Sequence, residues 1–96
     1  MKGGSVPAGS ARPRLARKAR LKLDPIDKTH VLLAPERGLV LGASAAAIAA
    51  RCDGERTIEA IAAELATETR ADPDVVRRDV ASFVAEMVAR GLLEIA

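Results

Sequence analysis

The chain has 96 residues and a formal net charge of +2, from 15 Lys or Arg against 13 Asp or Glu. This length fits one small domain with a modest core. A single cysteine excludes an internal disulfide and any metal site built from a cysteine cluster. The sequence has no run long and apolar enough to cross a membrane, and its N-terminus lacks the apolar stretch of a signal peptide. We therefore expect a cytoplasmic protein with no membrane partner.

The positive charge is concentrated at the N-terminus. Residues 1–28 carry eight Lys or Arg against two Asp, a net +6, which leaves −4 for residues 29–96. A basic arm on an acidic body can meet an acidic partner or nucleic acid. The same composition is equally typical of a solvated, flexible leader.

The first element in chain order is a leader rich in Gly, Ser, Ala and Pro. Such a segment cannot bury enough surface to offset the entropy of ordering, so we expect a disordered leader or linker over residues 1–12 and a folded domain over residues 13–96. The basic stretch Arg12–Lys18 is expected to be loosely ordered. Strict alternation at Arg20–Leu23 then predicts a strand that faces the core through its two leucines.

A β-hairpin is predicted within His30–Ser44, where two short apolar runs flank a turn. Pro35 presets the backbone angle for the second position of that turn, and Gly38 can take a positive φ near its end. We expect Val31 and Leu33 to face the core. The result is a three-stranded antiparallel meander over residues 19–23, 29–33 and 38–41.

The last of these strands has no later strand beside it, because the sequence becomes helical from Gly42. An unpaired strand lined by a helix can accept an extended peptide as a further strand. The candidate peptide-binding residues of this strand are Gly38, Leu39, Val40 and Leu41.

Three helices are predicted after the hairpin, each starting at a residue that can cap it: Gly42 or Ser44, Thr57, and Asp72 before Pro73. The third helix carries the longest apolar stripe and closes at Arg90-Gly91. Leu92–Ile95 is expected to be an extended tail. Three strands followed by three helices predict an α+β, winged-helix-like domain.

Groups for catalysis or cofactor binding are scarce. His30 is the only histidine and is placed at the start of a strand, where a surface position is the usual outcome. Cys52 lies on the inner stripe of the first helix, as expected for a small buried hydrophobe. The chain has no glycine-rich phosphate loop, and without Trp or Tyr it offers no aromatic platform. We expect a protein that is not an enzyme and that has no cofactor.

Two other functions remain open from the residues alone. A winged helix can place a helix in the major groove, but here acidic residues outnumber arginines in the helical half, whereas phosphate contacts need basic surfaces. We therefore expect no nucleic-acid partner and keep DNA binding as an alternative. The other alternative is a dimerisation module in which the open strand pairs with itself across a two-fold axis.

Several segments occur together in an order that resembles the PqqD family, the small proteins of pyrroloquinoline quinone biosynthesis. They are Pro13–Arg17, Arg20–Lys22, Leu32–Arg37, Leu39–Leu41, Ser44–Ile48, Cys52–Gly54 with Thr57-Ile58 and Ile61, and Asp79-Val80 near Phe83. The resemblance covers residues 13–94. It implies a peptide chaperone that binds the precursor peptide PqqA beside the third strand and against the third helix, and presents it to the radical S-adenosylmethionine enzyme PqqE. On that helix the i, i+4, i+7 rule puts Arg77, Ala81 and Val84 on one flank, and we predict that they also bind the peptide. The alternatives are plain core at Val84 and a solvated surface position at Arg77. Some members are fused behind PqqC, so the resemblance also allows residues 1–12 to be a linker of such a fusion.

Overall fold

The computed structural model describes residues 7–96 and contains three helices and five short strands. In chain order they are β1 (Pro13–Leu15), β2 (Arg20–Leu23), β3 (His30–Ala34), β4 (Arg37–Leu41), α1 (Ala43–Ala50), α2 (Ile58–Thr69), α3 (Pro73–Ala89) and β5 (Leu93–Ile95). The predicted order of three antiparallel strands and then three helices is confirmed by β2, β3, β4 and α1 to α3. Strands β1 and β5 are additional and pair antiparallel in a second sheet.

A two-residue turn, Pro35-Glu36, joins β3 to β4, and Ala34 pairs with Arg37 across it. Pro35 occupies the second turn position, as predicted. Gly38 does not use the positive φ that is open to it, because among the described glycines only Gly54 and Gly91 have positive φ. The turn is complete before Gly38, which lies inside β4 as an ordinary extended residue.

Strand β3 buries the opposite side from the one predicted. Leu32 is fully buried, whereas Val31 and Leu33 are only half-buried and lie on the outer side of the sheet. Leu32 pairs with Leu21 on one side and Leu39 on the other, so these three leucines share the face that packs on the core. The prediction failed because an uninterrupted apolar run has no polar position to set the phase of the alternation.

The core lies between this face and the helices. Its fully buried side chains come mainly from α2, α3 and the segment into β5: Ile58, Ile61, Val80, Val84, Met87, Leu92 and Leu93. Leu23, which was predicted to face the core, is 55% exposed at the end of β2. Val88, an apolar residue at the margin of the α3 stripe, is 37% exposed.

Helix capping follows the sequence closely. The Thr57 hydroxyl accepts a hydrogen bond from the Ala60 N–H at 3.0 Å at the start of α2. The Asp72 carboxylate accepts from the Asp74 N–H at 2.9 Å at the start of α3. Gly42 caps α1 and has no side chain to offer, so the first-turn amides of α1 lack such a bond.

Replacing Thr57 with alanine should lower the free energy of unfolding by about 1 kcal/mol, because an amide of the first turn loses its side-chain acceptor. Urea denaturation followed by circular dichroism measures the change. Thr67→Ala is the matched control, since Thr67 is an exposed position inside the same helix. An equal effect of the two substitutions would show that the cap contributes nothing.

The segment before β1 is packed on the body instead of forming a free leader. The Gly9 carbonyl accepts from the Glu59 N–H at 3.0 Å, and the Ala11 carbonyl accepts from the Ile58 N–H at 2.9 Å. These bonds satisfy first-turn amides of α2 that a helix leaves free. The leader prediction is therefore corrected for residues 7–12, and its part over residues 1–6 lies outside the described residues. The loose order expected for Arg12–Lys18 is likewise corrected where β1 forms.

An ion network joins the loop after α1 to α2. Glu64 accepts from Arg51 Nε at 3.0 Å and from Arg56 Nε at 2.9 Å, while Arg56 Nη1 lies 2.6 Å from Asp53. The hydrogen bond from Arg56, then that from Arg51, holds the pKa of Glu64 below its usual value. The backbone N–H groups of Arg56 and Glu55 do the same for the pKa of Asp53.

These lowered pKa values predict acid sensitivity. A carboxylate whose pKa falls on folding adds stability above its unfolded pKa and loses it as the pH falls through the folded value. The melting temperature should therefore drop on acidification from about pH 5 to about pH 3. Arg56→Gln should flatten that drop, and Arg78→Gln, at an exposed site outside the network, should leave it unchanged. An unaltered pH profile for Arg56→Gln would contradict the assignment.

Candidate functional site

Strand β4 lies at one edge of the sheet, whose order is β2-β3-β4, and no described residue pairs with its outer side. Ala34 and Arg37 close a two-residue turn and therefore form a hydrogen-bonded pair. The antiparallel alternation then directs the backbone groups of Leu39 towards β3. Those of Gly38 and Val40 point away from the sheet, where an added strand can bind them.

The C-terminal end of α3 lies near the start of β4. Arg37 Nη1 donates to the Arg90 carbonyl at 2.6 Å, where α3 ends. Ser44 of α1 lines a cavity of about 440 Å³ together with Val76 and Asp79 near the start of α3. Helical spacing puts Phe83, which is half-buried, on the same flank of α3 as Val76 and Asp79.

The strand residues predicted for the site occupy this edge with different exposures. Val40 is 67% exposed and Gly38 is exposed, Leu39 is half-buried, and Leu41 is buried in the core. The edge thus offers backbone groups and the Val40 side chain to an incoming chain, while Leu41 anchors the strand.

The three residues predicted on α3 do not share one surface. Arg77 and Ala81 line a different cavity, of about 420 Å³, whose other walls include Ile58 and Glu59 of α2. Val84 is fully buried. The i, i+4, i+7 rule identifies residues that share a flank, but which flank faces β4 depends on how the helix crosses the sheet. That crossing leaves no mark on the sequence.

Cys52 and His30, the two residues considered for catalysis, lie in environments typical of structural residues. Cys52 is buried and lies 3.3 Å from the Ile48 carbonyl, and burial raises the pKa of its thiol to about 12. The thiol is therefore protonated at neutral pH and a poor nucleophile. His30 is half-buried at the start of β3, opposite Leu41. Within residues 7–96, no three His, Cys, Asp or Glu side chains cluster closely enough to hold a metal ion.

No helix in the described part of the chain has both the length and the apolar character needed to cross a membrane.

Sequence reasoning missed two features near the site. The first is the β1–β5 sheet, in which Arg14 Nη2 lies 2.9 Å from the Glu94 carboxylate. The second is the cavity that Val76 and Asp79 of α3 line together with Ser44 of α1.

The geometry defines a small winged-helix-like α+β domain with an open sheet edge beside a helix. Comparison with protein families adds a match of residues 29–93 to the model described as "Coenzyme PQQ synthesis protein D (PqqD)". The chain belongs to the PqqD family, and the resemblance found in its sequence is confirmed.

Two named relatives align with nearly the whole chain. A protein of Rhizobium meliloti strain 1021 called "PqqA binding protein" is 42% identical over 90 residues, which cover 94% of this chain and 92% of that protein. The "Bifunctional coenzyme PQQ synthesis protein C/D" of Methylorubrum extorquens is 38% identical over 87 residues, 91% of this chain and 23% of that longer protein.

A solved structure has the same fold. The solution structure of the PqqD truncation of Methylobacterium extorquens PqqCD, described as a functional, stand-alone recognition element for ribosomally synthesised and post-translationally modified peptides, superposes with a TM-score of 0.82. The sequences are 34% identical, and the match covers 98% of this chain and 99% of that one. The predicted α+β, winged-helix-like fold is thereby confirmed.

Proposed function

We propose that this protein is a recognition element of pyrroloquinoline quinone synthesis that binds the precursor peptide PqqA as an added strand along β4. The names of its relatives support the choice of peptide, since the Rhizobium meliloti protein is called a PqqA binding protein. The observation that carries the binding mode is the open edge of β4, where the backbone groups of Gly38 and Val40 have no partner strand among residues 7–96.

The backbone of β4 supplies affinity and register in this proposal. Peptide N–H and C=O groups pair with those of Gly38 and Val40, while the buried Leu41 and the hydrogen bond from Arg37 to Arg90 hold the two ends of the strand in place. Alternate peptide side chains point towards α3 and meet Val76 and Phe83. Ala81 and Val84, which are buried, support this helix from within, and Arg77 lines a cavity with Ile58 and Glu59 of α2.

The role proposed for the protein is presentation and not chemistry. It holds PqqA extended and delivers it to the radical S-adenosylmethionine enzyme PqqE. The fused C/D protein of Methylorubrum extorquens supports a working association with PqqC, because a region similar to this chain is part of that protein. The buried, protonated Cys52 thiol is consistent with the absence of a reaction of its own.

A titration with fluorescently labelled PqqA tests the proposal. We expect saturable binding at micromolar concentrations, and weaker binding of a peptide with the same residues in shuffled order. Light scattering should show one protein per complex. Equal affinity for both peptides would overturn the proposal. So would salt-sensitive binding of duplex DNA without peptide binding, or a dimer that persists at saturating peptide.

A further inference from the structure

The outer face of the sheet is apolar where solvent-facing sheets are usually polar. Val31 and Leu33 of β3 lie on this face, and both are half-buried. Val40 pairs with Val31 and is 67% exposed, and Gly38 pairs with Leu33. A Cβ atom built on Gly38 would lie 3.1 Å from Leu33 Cδ2, which shows that the Leu33 side chain leans over the glycine. The three apolar side chains and the glycine form one surface, which we call the outer patch.

Strand β2 adds positive charge along one side of the outer patch. Arg20 pairs with Leu33 and Lys22 pairs with Val31, so both cations share the face of the apolar side chains. Both are exposed, and neither forms an ion pair with a described residue. The acidic residues nearest in the chain are Asp24, Asp27 and Glu36, which lie in or beside the two hairpin turns. The Asp24 carboxylate accepts from the Ile26 N–H at 2.9 Å inside its own turn and forms no ion pair with either cation.

We infer that the outer patch is the docking surface for the enzyme that modifies the bound peptide, through an apolar spot bordered by carboxylates on that enzyme. The inference rests on the proposed function. Charge complementarity selects the chemistry of the partner, since Arg20 and Lys22 need negative charge opposite them. A second copy of this chain fits poorly, because two stacked sheets are about 10 Å apart and would bring the same cations together.

The outer patch is continuous with the edge used by the peptide. A strand added to β4 extends the sheet, and every second side chain of that strand points to the same side as Val40. An enzyme seated on the outer patch would therefore touch the recognition domain and the peptide together. Because the enzyme would recognise both parts of this combined surface, we expect peptide binding to strengthen enzyme binding.

Charge reversal on β2 tests the inference. The variant Arg20→Glu with Lys22→Glu should bind PqqA within about twofold of wild type, because neither side chain lies at β4. Its PqqA complex should bind PqqE at least about tenfold more weakly, since like charges now face each other. Arg70→Glu with Arg78→Glu carries the same change in charge at exposed sites, one directly after α2 and one on α3, and should bind PqqE normally. Biolayer interferometry on immobilised PqqE measures these affinities.

A second variant tests the apolar part. Val31→Thr keeps the β-branched shape and should weaken PqqE binding about three- to tenfold without changing PqqA affinity. Normal PqqE binding by both outer-patch variants would overturn the inference while leaving the proposed function intact. Equal losses in the control variant would also overturn it, by showing dependence on net charge alone. Failure of the wild-type protein to bind PqqA would instead refute the proposed function.

Discussion

Replacing Val40 with proline is expected to weaken PqqA binding by about tenfold or more while the domain stays folded. Proline has no N–H, and the N–H of Val40 points to the open edge instead of to β3. An edge strand tolerates proline at such a position. The peptide carbonyl that this N–H would bind is left unpaired, at a cost of about 1–3 kcal/mol. Isothermal titration calorimetry with PqqA measures the loss.

Two control variants separate an effect on peptide binding from an effect on folding. Val40→Thr keeps the N–H and the β-branched shape, and it should bind PqqA nearly as well as wild type. Leu39→Pro removes an N–H that β3 uses, and it should destabilise the domain itself. Wild-type affinity in a folded Val40→Pro variant would exclude this part of the edge as the binding strand.

Truncating Leu32 to alanine should lower the free energy of unfolding by about 3 kcal/mol, because Leu32 is fully buried beneath the helices. Small domains have total stabilities of about 5 kcal/mol, so a sizeable unfolded population is expected. Val31→Ala, one residue earlier on the outer face, should cost less than about 1 kcal/mol. Urea denaturation of the three proteins gives both differences.

This comparison decides which side of β3 faces the core. A larger loss for Val31→Ala than for Leu32→Ala would mean that the alternation runs in the phase first predicted from the sequence. The outer patch would then be part of the core, and no surface would remain for the enzyme at that face.

Features encoded by neighbouring residues could be predicted from the sequence. The caps at Thr57 and Asp72 and the turn at Pro35 depend on contacts within a few positions, so the residue types alone identify them. The open edge of β4 also followed from chain order, because only helices come between β4 and the last residues.

Features that depend on distant parts of the chain could not be predicted from the sequence. Strand β1 pairs with β5, and Arg14 meets Glu94 across 80 positions, which no local pattern records. The phase of β3 is set by the helices that cover Leu32. The cavity lined by Arg77 and Ala81 is shared with Ile58 and Glu59 of α2, and no pattern within α3 records that neighbour. For the site, the sequence thus predicted the open strand edge but not the surroundings of each face of α3.

Hydrogen exchange at single amides tests strand addition most directly. The amide protons of Gly38 and Val40 face solvent in the free protein, whereas that of Leu39 is directed to β3. Saturation with PqqA should slow exchange at Gly38 and Val40 at least about tenfold and leave Leu39 little changed. Unchanged exchange at Gly38 and Val40 in a saturated complex, with changes confined to residues 7–22, would contradict binding along β4.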